Sequence, residues 1–366
     1  MEDIERIIRE RSLPDVFTFN SGESVKTRED FLRRREEIKK LLSDNEYGYI
    51  PEKPDHLTFL PVETDNGFSA GKASLTKIIF KATVGESEFS FPVRAIIPKS
   101  DKKCPAFVFP NFRPDVPDKY LPAEEIVDRG YAVFTFARND ITTDKGFGSD
   151  GLSRIFKRNK RRPSSPGKLA LWAWCAMRVM DYVMTLDTVD TENVAVIGHS
   201  RLGKTALLAG AFDERFKYVI SNCSGFSGAA ITRGKEGEHI SDLLLGFGRA
   251  DWFCPRYEKY IKDENSLPLD QHFLLSLIAP RHLLIGSAED DLWADPKSEF
   301  LGAYLASEVY EKIYGITGLI HENKIPTAKT VLDRGNVMYH VRRGTHYMSR
   351  EDWCEYMNYI DKVIKK

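Results

Sequence analysis

The sequence predicts an α/β fold with a mostly parallel central sheet and helices on both of its faces. Short apolar runs rich in Val, Ile and Phe recur along the chain and end at Pro, Asn, Asp or Gly, as buried strands do. Helical segments alternate with these runs, which is typical of parallel strands joined by crossover helices. No internal repeat or low-complexity segment interrupts the pattern.

The first 60 residues differ from the rest of the chain because they are charged and mostly helical in pattern. In TREDFLRRREEIKKLL, apolar residues recur near helical spacing between charged residues. We interpret residues 1–60 as a helical extension packed on the main domain, which spans residues 61–366.

Seven apolar runs of the main domain are predicted strands. In chain order they are FPVRAIIP (91–98), CPAFVFPNF (104–112), GYAVFTFARND (130–140), NVAVIG (193–198), KYVISNCSG (217–225), RHLLIGSAED (281–290) and NVMYHVRRG (336–344).

Between these strands lie one strongly predicted helix and one irregular segment. Residues 165–186 are apolar nearly all round, so we expect a buried helix, with Ser165 as its N-cap and Pro166 at its first position. Residues 226–275 hold no clear strand. We interpret them as an insertion over the C-terminal edge of the sheet, where open α/β sheets bind their ligands.

Composition excludes several classes of protein. The formal net charge is -1, which gives no basic field for nucleic acid or anionic membranes. No stretch approaches the roughly 20 apolar residues that span a bilayer, and MEDIERIIRERSLPD lacks the apolar core of a signal peptide. The five cysteines are scattered and form no C-x-x-C pair, so neither a zinc site nor a disulfide framework is predicted. We expect a cytoplasmic protein without metal or cofactor.

The stretch GHSRLGKT, residues 198–205, fits two different motifs. As G-x-x-x-x-G-K-[ST] it is a P-loop ending in Lys204 and Thr205, which would make the protein an NTPase. As G-x-S it begins a nucleophile elbow with Ser200 at the apex, which would make it a hydrolase that forms a covalent intermediate. Both motifs need a strand before them and a helix after them, and NVAVIG and KTALLAGAFDERF supply these.

The rest of the chain favours the elbow. A hydrolase of this kind needs an acid and then a histidine downstream of the serine, with the histidine in a loop after the last strand. Asp290 and Asp291 follow the predicted strand RHLLIG, and His346 follows the last predicted strand, just before a final helix. A P-loop usually follows the first strand of its domain, whereas several strands precede this one. The sequence therefore predicts an α/β-hydrolase fold with Ser200 as nucleophile and His346 as general base.

The acid of the triad has several candidates in one short segment. Asp291 is predicted to hold the imidazole in the required tautomer and to stabilise its charge. Asp290 and Glu289 are adjacent alternatives, and Asp295 precedes Pro296, where it can be a helix cap.

Two cations follow the serine directly. Lys204 lies one helical turn beyond Ser200, so both side chains can face one pocket, and a cation there suits a carboxylate or a developing oxyanion. Arg201 and Lys204 can instead be surface charges. The second glycine of the usual G-x-S-x-G elbow is replaced by Leu202, so Gly203 or a different packing must ease the turn into the helix.

These residues make the chain resemble the glucuronoyl esterases, carbohydrate esterase family 15. GHSRLGK is similar to the Ser-Arg-x-Gly-Lys elbow of that family, and LALWAWCAMRVMDYV is similar to the helix before its nucleophile strand. The similarity to bacterial members extends to DWFCPRYEKY and to LPLDQHFLLSLIAPRHLLIGSAEDDLWADPKSEFL. More weakly, RRREEIKKLLSDNEYGYIP resembles the N-terminal region of related acetyl xylan esterases.

The resemblance implies an α/β-hydrolase fold and a serine esterase that needs no metal. Ser200, His346 and an acid would form its triad. Fungal members carry the acid in a Glu-Ser-Gly segment, and the matching residues here are Cys223-Ser224-Gly225. The acid is therefore assigned to the family's other position, which Asp291 fills in the DLWADP block.

The resemblance also implies roles for other residues. Arg201 would help to hold the oxyanion, and Lys204 and Trp293 would contact the sugar acid, although Trp293 can equally be a core residue. Fungal members have disulfide-bonded cysteines beside the serine and the histidine, and His199 and Tyr347 occupy those places here.

Two segments depart from the family pattern. The stretch after the second predicted strand reads NFRPDVPDKY, with two prolines, where small residues usually follow Asn-Phe. The family carries an acidic residue just before the Trp-Phe pair, and no match to it is evident in Arg249-Ala250-Asp251, the residues that precede Trp252. The resemblance implies a serine esterase acting on a carbohydrate ester, with glucuronoyl esters as the first candidate substrates. An acetyl xylan esterase-like deacetylase and a catalytically silent binding protein are the alternatives.

Overall fold

A computed structural model describes residues 4–144, 146 and 148–365 of the chain. Within these residues, ten strands form one sheet: β1 His56–Asp65, β2 Ala73–Val84, β3 Ser87–Pro98, β4 Cys104–Asn111, β5 Ala132–Ala137, β6 Val189–His199, β7 Tyr218–Asn222, β8 His282–Ala288, β9 Thr330–Leu332 and β10 Val337–Arg342. The described α-helices are α1 Ile4–Arg11, α2 Arg28–Leu42, α3 Ala123–Asp128, α4 Arg138–Ile141, α5 Lys168–Val183, α6 Arg201–Phe212, α7 Gln271–Ser276, α8 Pro296–Tyr314 and α9 Arg350–Ile364.

The strands lie in the order β1-β2-β3-β5-β4-β6-β7-β8-β10-β9. The six neighbours from β5 to β10 are parallel, whereas β1, β2 and β3 are antiparallel to one another, β3 is antiparallel to β5, and β9 is antiparallel to β10. The predicted, mostly parallel central sheet is therefore confirmed. Because the carboxyl ends of parallel strands share one edge, the loops after β6, β8 and β10 meet there.

Strands β1, β2 and β9 are absent from the sequence-based prediction. Strand β1 begins at His56, inside residues 1–60, which we expected to be helical. This edge strand is exposed along most of its length, so it carries none of the apolar signal by which buried strands are recognised.

Helices cover both faces of the sheet, as predicted. On one face, α5, α6 and α8 pack with α2 in the larger core cluster. On the other face, α3 and α9 pack against β4 and β5, with Trp353 edge-on to Phe107 and Phe109 at centroid distances of 5.2 and 5.5 Å. None of the described helices is long and apolar enough to cross a bilayer.

The predicted N-cap of the buried helix α5 is wrong. The helix begins at Lys168 after Gly167, and the Ser165 hydroxyl instead accepts a hydrogen bond from the Asn159 N–H at 2.7 Å. A Cβ on Gly167 would lie 2.2 Å from the Trp252 carbonyl oxygen. Close approach of the segment around Trp252 therefore fixes where this helix starts.

The N-terminal helices pack on the main body of the protein. A capping box of Thr27 and Asp30 begins α2, whose residues Phe31 and Ile38 are fully buried. Residues Ser43–Tyr47 continue α2 as a wider helical turn, and the Tyr47 hydroxyl donates to the Ser227 carbonyl at 2.8 Å.

Candidate active site

The turn between β6 and α6 holds Ser200 in a conformation that few residues adopt. Its φ is 57° and its ψ is −130°, which costs about 1–3 kcal/mol and is common at functional turns. Gly198 is required because a Cβ there would lie 2.0 Å from the Leu202 carbonyl oxygen. A Cβ on Gly203 would lie 3.0 Å from the Ser221 hydroxyl oxygen, so Gly203 allows α6 to pack closely against β7.

Three predicted side chains meet at the carboxyl edge of the sheet. His346 Nε2 lies 2.8 Å from Ser200 Oγ, and His346 Nδ1 lies 2.6 Å from Asp291 Oδ2. Asp291 follows β8 and is 4% exposed, whereas the histidine side chain is 44% exposed at the cleft. This chain of hydrogen bonds can take a proton from the serine hydroxyl and stabilise the resulting imidazolium.

The other acidic candidates lie elsewhere. Asp290 and Glu289 are exposed, and the Asp290 N–H donates to the Gly344 carbonyl at 3.0 Å. Asp295 caps α8, where its carboxylate accepts from the Ser298 N–H at 2.9 Å. Of these carboxylates, only that of Asp291 is hydrogen-bonded to His346 within the described residues.

Lys204 is a buried cation at the cleft and not a surface charge. It is 3% exposed, and its ammonium donates to the carbonyls of Ser224, at 2.7 Å, and Phe226. Its Nζ lies 3.8 Å from a carboxylate oxygen of Glu238. Burial lowers the pKa of Lys204, and the charge of Glu238 offsets only part of that effect.

Arg201 lies between an acid and an aromatic ring. Its Nη1 donates to Asp144 Oδ2 at 2.9 Å, and its guanidinium carbon lies 4.3 Å from the centroid of Trp252. Burial lowers its pKa to about 10, so the group stays charged at neutral pH. The side chain lines the same cleft as Ser200.

Trp293 lies at the rim of the cleft and is 48% exposed, so it is not a core residue. Its ring is edge-on to Phe247 at a centroid distance of 5.8 Å. The adjacent Leu292 is 74% exposed. An exposed indole at the rim of the cleft offers a face on which a sugar ring can stack.

The cleft also contains residues that sequence reasoning missed. Its empty volume is about 640 Å³, and residues 226–275 contribute Glu238, Phe247 and Arg249 to its wall. The sequence shows no match to the family's acid before Trp252, and the acid that lines the cleft is Glu238. No spacing or periodicity in KEGEH identifies this residue in advance, because only the folded loop brings it to Lys204.

Aromatic rings pack together around His199 and Tyr347, the residues that the resemblance matches to the fungal cysteines. The Tyr120 ring lies between His199 and Tyr347, at centroid distances of 5.4 and 5.3 Å. The ring of His199 is also 4.7 Å from that of His346, and its Nδ1 lies 2.8 Å from Asn222 Oδ1. All five cysteines lie in the described part of the chain, and all are unbonded.

His199 leads to a prediction about acid stability. Burial, aided by the neighbouring His346, lowers its pKa to about 3, against about 6.5 in an unfolded chain. Between these pH values the unfolded state binds a proton that the folded state does not, so stability falls as pH drops. From pH 5.5 to 4.5, urea titrations should show the wild type losing about 1 kcal/mol more of its unfolding free energy than His199→Gln. The exposed His56→Gln variant is the control, and identical losses in wild type and His199→Gln would contradict the prediction.

The described residues hold no group of three or more His, Cys, Asp or Glu side chains arranged to bind a metal ion.

Known proteins with the same sequence pattern identify the family. The family model for fungal glucuronyl esterase matches residues 80–314. The carbohydrate esterase MZ0003, from an unknown prokaryotic organism, is 33% identical over 96% of this chain and 89% of its own length. The chain belongs to the glucuronoyl esterase family. A solved glucuronoyl esterase from Solibacter usitatus has a TM-score of 0.87 and is 32% identical, covering 96% of this chain and 97% of that chain.

Membership of the glucuronoyl esterase family, carbohydrate esterase family 15, makes the protein an α/β-hydrolase and a carboxylic-ester hydrolase acting on carbohydrate esters. A further relative is the 4-O-methyl-glucuronoyl methylesterase of Thermothelomyces thermophilus, 29% identical over 84% of this chain and 74% of the relative. The family decides between the two motifs at residues 198–205 in favour of the hydrolase, and the NTPase alternative is set aside.

Proposed function

We propose that the protein hydrolyses glucuronoyl esters of short oligosaccharides, with Ser200, His346 and Asp291 as its catalytic triad. The observation that carries the proposal is the pair of hydrogen bonds made by His346, to Ser200 Oγ at 2.8 Å and to Asp291 Oδ2 at 2.6 Å. These bonds open directly on a cleft lined by Lys204. The unpaired cysteines fit the predicted cytoplasmic location, which favours imported oligosaccharides over intact polymer.

The proposed reaction proceeds through an acyl-enzyme. Ser200 Oγ attacks the ester carbonyl while His346 Nε2 takes its proton, and Asp291 stabilises the imidazolium. The alcohol leaves with that proton. Water, deprotonated by His346, then attacks the acyl-serine and releases the acid.

The oxyanion formed in each step lies at the start of α6. The backbone N–H of Arg201 is the first donor of that helix, and a helix N-terminus favours negative charge. The Arg201 guanidinium is fixed by Asp144 and Trp252, so it can add a charged donor without reorganising during the reaction.

Three other side chains support a sugar acid as the acyl group. Lys204 offers N–H donors, and the Glu238 carboxylate 3.8 Å away offers acceptors, a combination that suits the hydroxyl and ring oxygens of a sugar. Trp293 supplies an exposed ring at the rim. Because the charges of Lys204 and Glu238 are opposite and close together, they produce little net electric field in the cleft. The pair can therefore bind an uncharged ester.

Deacetylation of small acetylated sugars is the second candidate, and one observation favours it. The chain is 31% identical, with a TM-score of 0.86 over 96% of its length, to a structure described as a promiscuous CE15 esterase from a marine bacterial metagenome. Promiscuity in that relative makes an acetyl ester a reasonable second substrate for the same serine.

Initial rates on a panel of esters test the proposal. Methyl glucuronate and benzyl glucuronate should be hydrolysed with a higher kcat/KM than acetylated xylo-oligosaccharides, with Ser200→Ala protein as the background. Good turnover of the acetyl esters with none of the glucuronoyl esters would overturn the uronate assignment while leaving the triad in place.

Replacing Lys204 with alanine should separate the two substrate classes. On a glucuronoyl ester, Lys204 can contact sugar or carbonyl oxygens that gain charge in the transition state, so its loss should cost about 2–4 kcal/mol in kcat/KM. On an acetyl ester the acyl group offers no such contact, and the loss should be about 1 kcal/mol. The control is Lys235→Ala, since Lys235 is a buried neighbour whose ammonium lies 4.8 Å from the Phe226 ring. Equal losses on both substrates would contradict the assigned role of Lys204.

A further inference from the structure

Side-chain packing holds only part of the loop that carries His346, through the contacts of the His346 ring with His199 and of the Tyr347 ring with Tyr120. Of its residues, Arg343, Thr345 and His346 are exposed, and the His346 side chain is 44% exposed. A catalytic group must nevertheless stay within about 0.5 Å of its productive position. The position of the imidazole therefore also depends on hydrogen bonds that fix the backbone of residues 343–347.

Arg342, the last residue of β10, supplies most of those hydrogen bonds from beneath the loop. Its side chain is 5% exposed. Nη1 donates to the Arg343 carbonyl at 2.8 Å, and Nη2 donates to the carbonyls of Thr345, at 3.0 Å, and Tyr347. The last two carbonyls flank His346 on either side.

The backbone of residues 343–347 curves closely around the Arg342 guanidinium. Gly344 has a φ of 100°, and a Cβ there would lie 3.1 Å from Arg342 Nη1. The Gly344 carbonyl accepts from the Asp290 N–H at 3.0 Å, which ties the loop to the residue before Asp291. Four of the five carbonyls of residues 343–347 therefore have assigned donors, three of them from one arginine.

Arg342 is itself held by a buried acid. Asp352 is fully buried and accepts from Arg342 Nε at 2.8 Å, from His340 Nε2 at 2.9 Å, and from the N–H and hydroxyl of Ser349 at 2.7 and 2.9 Å. Burial alone would raise the pKa of Asp352, but the hydrogen bond from His340 and the charges of His340 and Arg342 outweigh it and lower the pKa to about 2. The acid is thus a charged anchor at the start of α9 at any working pH.

We infer that Arg342 is a positioning residue that keeps His346 in register with Ser200 and Asp291, and that Asp352 anchors it. The inference rests on the proposed function, because it assumes that His346 is the base. A planar guanidinium donates along several fixed directions at once, whereas a lysine ammonium is a single point at the end of a flexible chain. Lysine can keep the charge next to Asp352 but cannot hold the three carbonyls together.

The test is Arg342→Lys in the full-length protein, assayed on methyl glucuronate. A misplaced base slows the chemical step and leaves ground-state binding alone, so kcat should fall on the order of 100-fold while KM changes less than about threefold. The matched control is Arg35→Lys. Arg35 is also buried, and it donates to the carbonyls of Leu277 and Ala279 at 2.8 and 2.9 Å and to Glu214, but it lies in α2. The Arg35→Lys protein should lose about as much thermal stability as Arg342→Lys but should keep the wild-type kcat.

A second variant covers the case in which Arg342→Lys fails to fold. Gly344→Ala keeps the arginine but places a methyl group 3.1 Å from its Nη1 at a positive φ, so kcat should fall about 10-fold with little change in KM. Unchanged kcat in Gly344→Ala and Arg342→Lys, or an equal loss in Arg35→Lys, would overturn the inference. His346→Ala in the same assay tests the proposed function separately from the role of Arg342. Activity in that variant would show that His346 is not the catalytic base.

Discussion

Ser200→Ala should lower kcat for ester hydrolysis by about 10⁵–10⁶-fold, because it removes the hydroxyl that His346 is placed to activate for acyl-enzyme formation. Ser200 Oγ lies 2.8 Å from His346 Nε2 at a strained turn that opens on the cleft. The matched control is Ser224→Ala, which removes a second serine hydroxyl from the cleft lining, whereas its backbone carbonyl still holds Lys204. That variant should keep most of the activity.

A double variant distinguishes a triad from two independent residues. Members of a catalytic unit are grossly non-additive, so Ser200→Ala with His346→Ala should be about as slow as either single variant. If the two losses multiplied, the serine and the histidine would act in separate steps, and the hydrogen bond between them would not be the catalytic one.

Asp291→Asn should lower kcat by about 10⁴-fold. An amide at this position favours the wrong imidazole tautomer while leaving the geometry intact. The carboxylate is 4% exposed and lies 2.6 Å from His346 Nδ1. Steady-state kinetics on methyl glucuronate measure the effect.

Asp290→Asn is the control for the acid, because Asp290 is exposed and its contact with the histidine loop uses its backbone N–H. It should change kcat less than about threefold. If Asp290→Asn were the damaging substitution, the acid of the triad would be the residue before Asp291.

The parallel part of the fold could be predicted because its strands are buried on both faces. Such strands read as continuous apolar runs, and their order along the chain places the loops after β6, β8 and β10 at one edge. Ser200, Asp291 and His346 follow those three strands, so their proximity follows from topology. Strand β1 could not be predicted, because an exposed edge strand has no apolar signature.

The positions of several other residues could not be predicted from strand order or local sequence rules. Glu238 and Arg249 come from a segment without regular periodicity, and only its folding brings them to the cleft. The N-cap of α5 was mispredicted because the approach of Trp252 to Gly167 is a tertiary contact that no local rule describes. The hydrogen bonds of Arg342 beneath the histidine loop could not be predicted either. VRRGTHY contains two arginines, and nothing in the sequence shows which of them is buried under the loop.

A fluorophosphonate forms a stable adduct with an activated serine, so peptide mapping by mass spectrometry after this treatment shows directly which serine is the nucleophile. We expect one adduct, on the peptide that contains Ser200, with labelling slowed severely in His346→Ala protein and abolished in Ser200→Ala protein. An adduct on a different serine, or equal labelling of the Ser200→Ala protein, would contradict the assignment of Ser200 as the nucleophile.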